Sequence, residues 1–287
     1  LIHRLVAAVE SSMDRLEINC PLMVMRGDGS LVSSDFVKAR PIETILSGPA
    51  ASATGAAALN SISEGMVVDI GGTTTDVAAI SGGLPESAPA GANIGGHETM
   101  VNAVRVHTEG IGGDSHVQPS PLDDHLVSIG PRRVTPLVAA CLERPEIQIM
   151  LEDQLGRSVA RETDGIYLWL LEQDPHWAPQ SSAEARIMAG LQASNAGGRY
   201  EEVVTSGLER NALNRLIASG LVGAAGFTPT DAAHVLGVDN RYDPHPAHLG
   251  SDLLARQLDR FGEPVADSGS SLAEMVLKRL SARISET

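Results

Sequence analysis

Basic residues are scarce in this sequence: 21 Lys and Arg stand against 36 Asp and Glu, a formal net charge of −15 over 287 residues. Nucleic-acid binders use Lys and Arg to displace counterions from phosphates, and an anionic membrane surface asks for the same charge. With no basic run to offset the balance, neither is expected as a partner. Cysteine is nearly absent as well. Cys20 and Cys141 lie far apart and form no CxxC pair, so neither a disulfide framework nor a zinc knuckle is expected, and the usage fits a reducing cytoplasm. Aromatics make up 3%, which leaves Ala, Val, Ile and Leu to build the core. No apolar run approaches the roughly 20 residues of a membrane helix, and no signal-peptide pattern is present. The chain opens at Leu1, inside an expected helix and not at a Met, and so reads as a piece of a longer protein.

What is present, 43% hydrophobic and 20% charged residues, suits a globular protein with one large or two modest domains. Leu5, Val9, Met13 and Leu16 at helical spacing predict a helix over Leu1–Glu17. Leu22–Met25 and Leu31–Val37 read as short strands joined at Gly27-Asp28-Gly29. Ser47-Gly48-Pro49 opens a helix that continues through an Ala-rich stretch to Leu59. Met66–Ile70 and Val77–Ile80 are apolar strands joined by Gly71 to Asp76. The segment Gly91 to His125 is rich in Gly and His, and Pro131–Pro136 reads as a connector. After about Thr135 the pattern turns helical, with helices expected at Ala183–Ala193, Asn211–Leu221, Pro229–Leu236 and Leu272–Ile284. Thr228 or Thr230 would cap the third of these. No internal repeat is evident. The outline is an α/β domain over residues 1–135 and a mainly helical region over 136–287.

The chemistry concentrates in Asp69-Ile70-Gly71-Gly72-Thr73-Thr74-Thr75-Asp76. Phosphates need backbone N–H donors that approach without a side chain in the way, and a Gly-rich turn supplies them. Gly71 and Gly72 remove the Cβ atoms, and Thr73, Thr74 and Thr75 add hydroxyls. Asp69, at the end of an apolar strand, is placed to hold Mg²⁺ through water, since Mg²⁺ keeps much of its hydration shell. Asp76 begins the return strand and can orient the loop or a water. A P-loop needs Gly-Lys-Ser/Thr entering a helix, and no Lys is present. A dinucleotide fingerprint also enters a helix, whereas these glycines enter a strand.

At these residues the sequence resembles the hydantoinase/oxoprolinase family, specifically its ATP-dependent A-type subunit, a group that includes the matching subunits of acetone-type carboxylases. The similar segments are Val24-Met25-Arg26-Gly27-Asp28-Gly29, Ser47-Gly48-Pro49-Ala50-Ala51 with Gly55-Ala56, and Val68 to Val77. Ile111-Gly112-Gly113-Asp114-Ser115, Val127 to Pro131 and Thr228-Pro229-Thr230-Asp231-Ala232 are similar too. The resemblance implies an actin-like (ribonuclease H-like) ATPase lobe, with ATP and Mg²⁺ as cofactors and Asp69 and Asp76 in catalytic roles. It also implies ATP-driven ring opening of hydantoins or 5-oxoproline, or activation of a related carbonyl substrate. In such chemistry, phosphorylating an amide or enol oxygen makes it a leaving group. A B-type partner subunit, homo-oligomerisation, or both would follow. The family's earlier Asp-x-Gly-Gly-Thr copy, in the opposite lobe, has no counterpart before Asp69, so one lobe alone is expected to bind ATP weakly and turn over nothing. Two alternatives share the fold: a kinase of a small metabolite, and a non-catalytic module that uses ATP as a switch.

Weaker signals remain. His97, His107, His116 and His125 lie near Asp114, Asp123 and Asp124, and imidazole with carboxylate can form a transition-metal site. The spacing matches no tight ligand motif; His107 and Asp114 are the first choices if a second metal binds. Gly112-Gly113-Asp114 reads either as a substrate or hinge loop at a cleft or as a tight turn. Leu213–Leu236 can be read as helix-turn-helix, against which the acidic balance argues. Trp169 and Trp177 are expected to pack, and Cys141 to be buried and inert.

Overall fold

The structure, a computed structural model, describes residues 2–88, 91, 93–94, 97–120, 126–171, 177–194 and 197–286. It is a mixed α/β protein of small sheets and, among the described residues, eleven α-helices. The chain divides into two compact units, Leu1–Glu109 and Gly110–Glu286. The division therefore falls at Gly110 and not near Thr135. The reason is local: the strands that follow Gly110 pack their apolar residues into the core of the helices that come after them.

In the first unit, helix α1 (Ile2–Arg15) forms as its spacing predicts, but it buries only Val6; Leu5, Val9 and Leu16 of the expected stripe are exposed. Strands β1 (Met23–Met25) and β2 (Leu31–Ser33) pair antiparallel around the Gly27–Gly29 turn. The second strand stops at Ser33 instead of reaching Val37, because the Ser33 hydroxyl accepts from Phe36 N–H and starts helix α2 (Ser34–Ala39). Helix α3 (Ser47–Asn60) lies against the antiparallel pair β3 (Glu64–Ile70) and β4 (Thr75–Ser81), and β5 (Val106–Glu109) adds to the other side of β4. Ala50, Ala53 and Ala57 are the buried face of α3. Their small size lets the helix sit close on the sheet, where Ala53 and Ala57 meet Ala78 and Ile80. The sheet's other face is different. Met66, Val68 and Ile70 alternate along β3 and are 67%, 45% and 55% exposed.

The second unit starts with the antiparallel pair β6 (Ser115–Pro119) and β7 (Val127–Arg133). The expected connector Pro131–Pro136 is thus largely strand, part of β7 and of β8 (Thr135–Pro136). The region expected to be mainly helical also holds a four-stranded sheet. Its order is β8, β11 (Val222–Gly226), β9 (Tyr167–Leu170), β10 (Gly197–Arg199), with β8 and β11 parallel and the rest antiparallel. The period of two along β9 sorts the cores: Tyr167 and Trp169 join one apolar cluster, and Leu168 joins the other. The first cluster packs beneath α4 (Leu137–Glu143), α5 (Glu146–Leu155) and three later helices, α9 (Pro229–Val235), α10 (His245–Ala255) and α11 (Gly269–Glu286). The second packs with α6 (Ser182–Ala193), α7 (Tyr200–Val203) and α8 (Gly207–Ala218). β11 lies between α8 and α9, so Leu213–Leu236 is not a helix-turn-helix.

Local chemistry sets the helix starts. Ser181 accepts from Glu184 N–H and Ser206 from Glu209 N–H, which begins α6 and α8 earlier than their apolar residues suggest. Thr228 caps α9 by accepting from Asp231 N–H. The fully buried Asp231 carboxylate also accepts from the N–H groups of Leu137, Val138 and Thr228, at 3.1, 2.9 and 2.9 Å, and so ties α9 to the start of α4. Burial pushes its pKa up to about 6 against the pull of these hydrogen bonds. Cys141 is half-buried, and burial raises its thiol to about 12, so it is inert at neutral pH. Trp169 is buried, with the Arg144 guanidinium 5.0 Å above its ring, and Trp177 packs on the second cluster. Among the described residues no helix is long and apolar enough to cross a membrane.

Candidate functional site

The turn between β3 and β4 is tighter than its sequence suggests. Thr75 and Asp76 already belong to β4, so the connection is Gly71 to Thr74, closed by Gly71 N–H donating to Thr74 C=O at 2.9 Å. At Gly71 a Cβ would stand 3.1 Å from that same carbonyl oxygen. The Gly72 and Thr73 N–H groups have no acceptor among the described residues, and Thr73 is exposed. Thr75, expected among the phosphate ligands, is fully buried.

The register places Asp69 directly opposite Asp76. Like charges in that relation disfavour the pair of strands, yet no Lys, Arg or His forms an ion pair with either carboxylate among the described residues. The two acids differ in their surroundings. Asp76 accepts from the Thr108 hydroxyl at 2.6 Å and from the Thr74 hydroxyl at 3.3 Å, which fixes it to β5 and to the turn. Asp69 is half-buried and has no such partner. Thr108 escaped the sequence reading because its pairing with Asp76 is set by strand register over 32 residues.

Both carboxylates line a niche of about 10 Å³, room for roughly one water, together with Pro49, Ser52 and Ala53 of α3. The niche is on the α3 side of the sheet, near the helix N-terminus. That terminus has no side-chain cap and no acid in its first turn, and the chain enters it through Leu46 in the left-handed region (φ 60°). A non-glycine residue held there costs about 1–2 kcal/mol, so the sharp entry is maintained by its surroundings. Ser47-Gly48-Pro49, expected to start a helix, therefore also brings a helix N-terminus beside the two acids.

The profile of the family described as Hydantoinase/oxoprolinase matches residues 1–287. The chain belongs to the hydantoinase/oxoprolinase family. Among solved structures, an acetone carboxylase in a nucleotide-free state, from work on the mechanism of ATP-dependent acetone carboxylation, is similar in fold. Its TM-score is 0.54 at 16% sequence identity, over 97% of this chain and 29% of the carboxylase chain. The present chain thus spans under a third of that chain's length. No curated protein matches.

The remaining candidate residues of this family member are engaged elsewhere. Gly112 N–H donates to the Ser115 hydroxyl at 2.9 Å, and Gly113 C=O accepts from Thr230 N–H and hydroxyl at 2.9 and 2.8 Å. The Asp114 carboxylate accepts from Arg133 at 2.9 Å. The glycine loop is thus fastened to α9, and Asp114, paired with Arg133, lines a cavity of about 570 Å³. His107 is exposed on β5, on the face away from Asp76. His116 is fully buried, and burial and the charge of Arg132 lower its pKa to about 3, so it is neutral. Asp123, Asp124 and His125, and the His97 side chain, lie outside the described residues. Among the described residues no three His, Cys, Asp or Glu side chains come together in a metal-binding group.

Proposed function

We propose that the β3–β4 hairpin is the phosphate- and Mg²⁺-binding element of an ATP-dependent enzyme of cyclic amides or related carbonyl compounds, built on an actin-like lobe. The observation that carries this is the pair of opposed carboxylates with no protein cation, next to two backbone N–H groups with no acceptor, among the described residues. A phosphate-bound divalent cation answers both at once: the cation offsets the acids, and the phosphate fills the donors. Asp69, which has no other partner, holds Mg²⁺ through water. Gly72 N–H, Thr73 N–H and the Thr73 hydroxyl contact phosphate. Gly71 closes the turn, Thr74 and Asp76 hold its shape through Thr108, and Thr75 anchors it. ATP, when bound, supplies the phosphoryl group that activates an amide or enol oxygen for departure. Family membership supports this substrate class, and the fold likeness to an acetone carboxylase supports the ATP dependence. A B-type partner subunit or self-assembly belongs to the same reading.

The test is a titration of the full chain with ATP, with and without Mg²⁺. Weak, Mg²⁺-dependent binding is expected, lost in Asp69→Asn and kept in His107→Ala. Equal binding by Asp69→Asn would overturn the assignment. Robust ATP hydrolysis by this chain alone would overturn the view that the hairpin is half of an ATP site. For the substrate class, a protein carrying an upstream Asp-x-Gly-Gly-Thr segment should show ATPase activity stimulated by a hydantoin or 5-oxoproline. A stably phosphorylated metabolite would point to a kinase instead.

A further inference from the structure

About half of the second unit's arginines pair with an acid. Arg133, Arg157, Arg186, Arg199, Arg215 and Arg241 each lie within 3.0 Å of an acid. Three of the others line one cavity of about 420 Å³. Among the described residues Arg161 and Arg210 make no ion pair and no side-chain hydrogen bond, and the Arg132 side chain donates only to the neutral Asn214 amide, at 2.6 Å. One carboxylate, Glu162, is in the lining, and it forms no ion pair among the described residues. In a chain with 36 acids and 21 bases, three guanidinium groups without an acid partner in one concavity stand out.

A second observation comes from the wall itself. Gln257 belongs to the lining and is 4% exposed, yet among the described residues neither its Oε1 nor its Nε2 has a hydrogen-bond partner. A buried amide without partners costs about 1–3 kcal/mol, and so native structures rarely leave one unless a water, ion or ligand completes it. Close by, Gln257 shares a smaller cavity with His116, whose Nδ1 is also unpartnered. Burial, with a smaller contribution from Arg132, keeps that imidazole neutral. Ile166 and Tyr200 add apolar surface to the larger cavity, whose volume falls in the range of small-ligand pockets.

We propose that this cavity binds a small organic anion, with Arg132, Arg161 and Arg210 holding its carboxylate or phosphate and Gln257 hydrogen-bonding its polar body. Guanidinium groups match both anions in a planar, two-pronged way. The cavity is lined by residues of the second unit alone, and its role does not depend on that of the hairpin.

Calorimetric titration of the full chain in about 150 mM NaCl, where loose surface charge effects are screened, tests this with two probes, inorganic phosphate and succinate. Saturable binding of at least one is expected, and the preferred probe tells which anion chemistry the site takes. The double variant Arg161→Gln/Arg210→Gln alters exposed side chains and should fold. It should weaken binding about tenfold or more, whereas Arg161→Lys/Arg210→Lys keeps part of it. Gln257→Leu should weaken binding of succinate, and circular dichroism checks that it folds. No saturable binding of either probe, or equal binding by the Gln double variant, overturns the proposal; in that case the unpartnered amide is hydrated and the arginines are solvated.

Discussion

The two units divide the work unequally. The first carries the motif chemistry on a thin core: four buried residues, Ala53, Ala57, Ala78 and Ile80, hold α3 to the sheet. The second carries two larger apolar clusters on opposite faces of a sheet, and a buried carboxylate fastens two helices of the first cluster together. Structural investment and chemical investment are thus placed apart. In the first unit, side chains such as Asp69 are left unpaired where pairing would favour the fold. In the second, the comparable acid Asp231 is fully satisfied. An unpaired acid in a strand leaves a charge that a bound cation would offset.

This contrast can be broken or sharpened by substitution. The largest effect is expected at Asp231→Ala, which strands the N–H groups of Leu137, Val138 and Thr228 in a buried place. It should destabilise the second unit by about 3–5 kcal/mol in chemical denaturation and leave ATP binding of the folded chain unchanged. Truncating a fully buried side chain, as in Leu213→Ala, should cost about 2–5 kcal/mol; Met66→Ser on the exposed face of β3 should stay within about 0.5 kcal/mol. A loss at Met66 as large as that at Leu213 would show that the β3 face is covered in solution. Asp69→Asn should be neutral or stabilising by a few tenths of a kcal/mol, roughly the relief of an opposed like-charge pair. A clear loss of stability would mark Asp69 as structural.

The smallest of these effects is a dependence on pH. Glu184 is held below the usual carboxylate range by the Gln180 N–H and by Arg215, and Glu209 is lowered to about 2 by the Thr205 N–H and hydroxyl. Their folded-state values lie below the unfolded ones. The stability they contribute is therefore present above about pH 4.5 and lost as pH falls towards 2. The thermal midpoint of Glu209→Gln should accordingly vary less over that window than that of the unaltered chain.

Much of this was legible from local sequence, and the rest was hidden by range. The hairpin could be read because a strand-end Asp, two glycines and threonines lie within eight residues. Its completion by Thr108 could not, since strand register decides it. The sheet of the second unit was missed for another reason. Tyr167–Leu170, Gly197–Arg199 and Val222–Gly226 are short and partly glycine-rich, and runs of that length do not separate strand from helix. The unit boundary followed from the same error, because β6 and β7 look like loop until their apolar residues meet α9 and α11. Helix α1 shows the converse: its period was read correctly, but periodicity does not say that the stripe is covered.

The hairpin's first strand has one more consequence, for handling. β3 forms an edge of its sheet among the described residues, so its outer N–H and C=O groups offer a template to another strand. It also presents Met66, Val68 and Ile70 outward. Against this stands the net charge of −15, which keeps copies apart by repulsion. That repulsion is screened by salt, whereas strand addition and apolar contact are not. Colloidal stability of this chain therefore rests on ionic strength: dilute buffer preserves it, and concentrated salt exposes the edge to its neighbours.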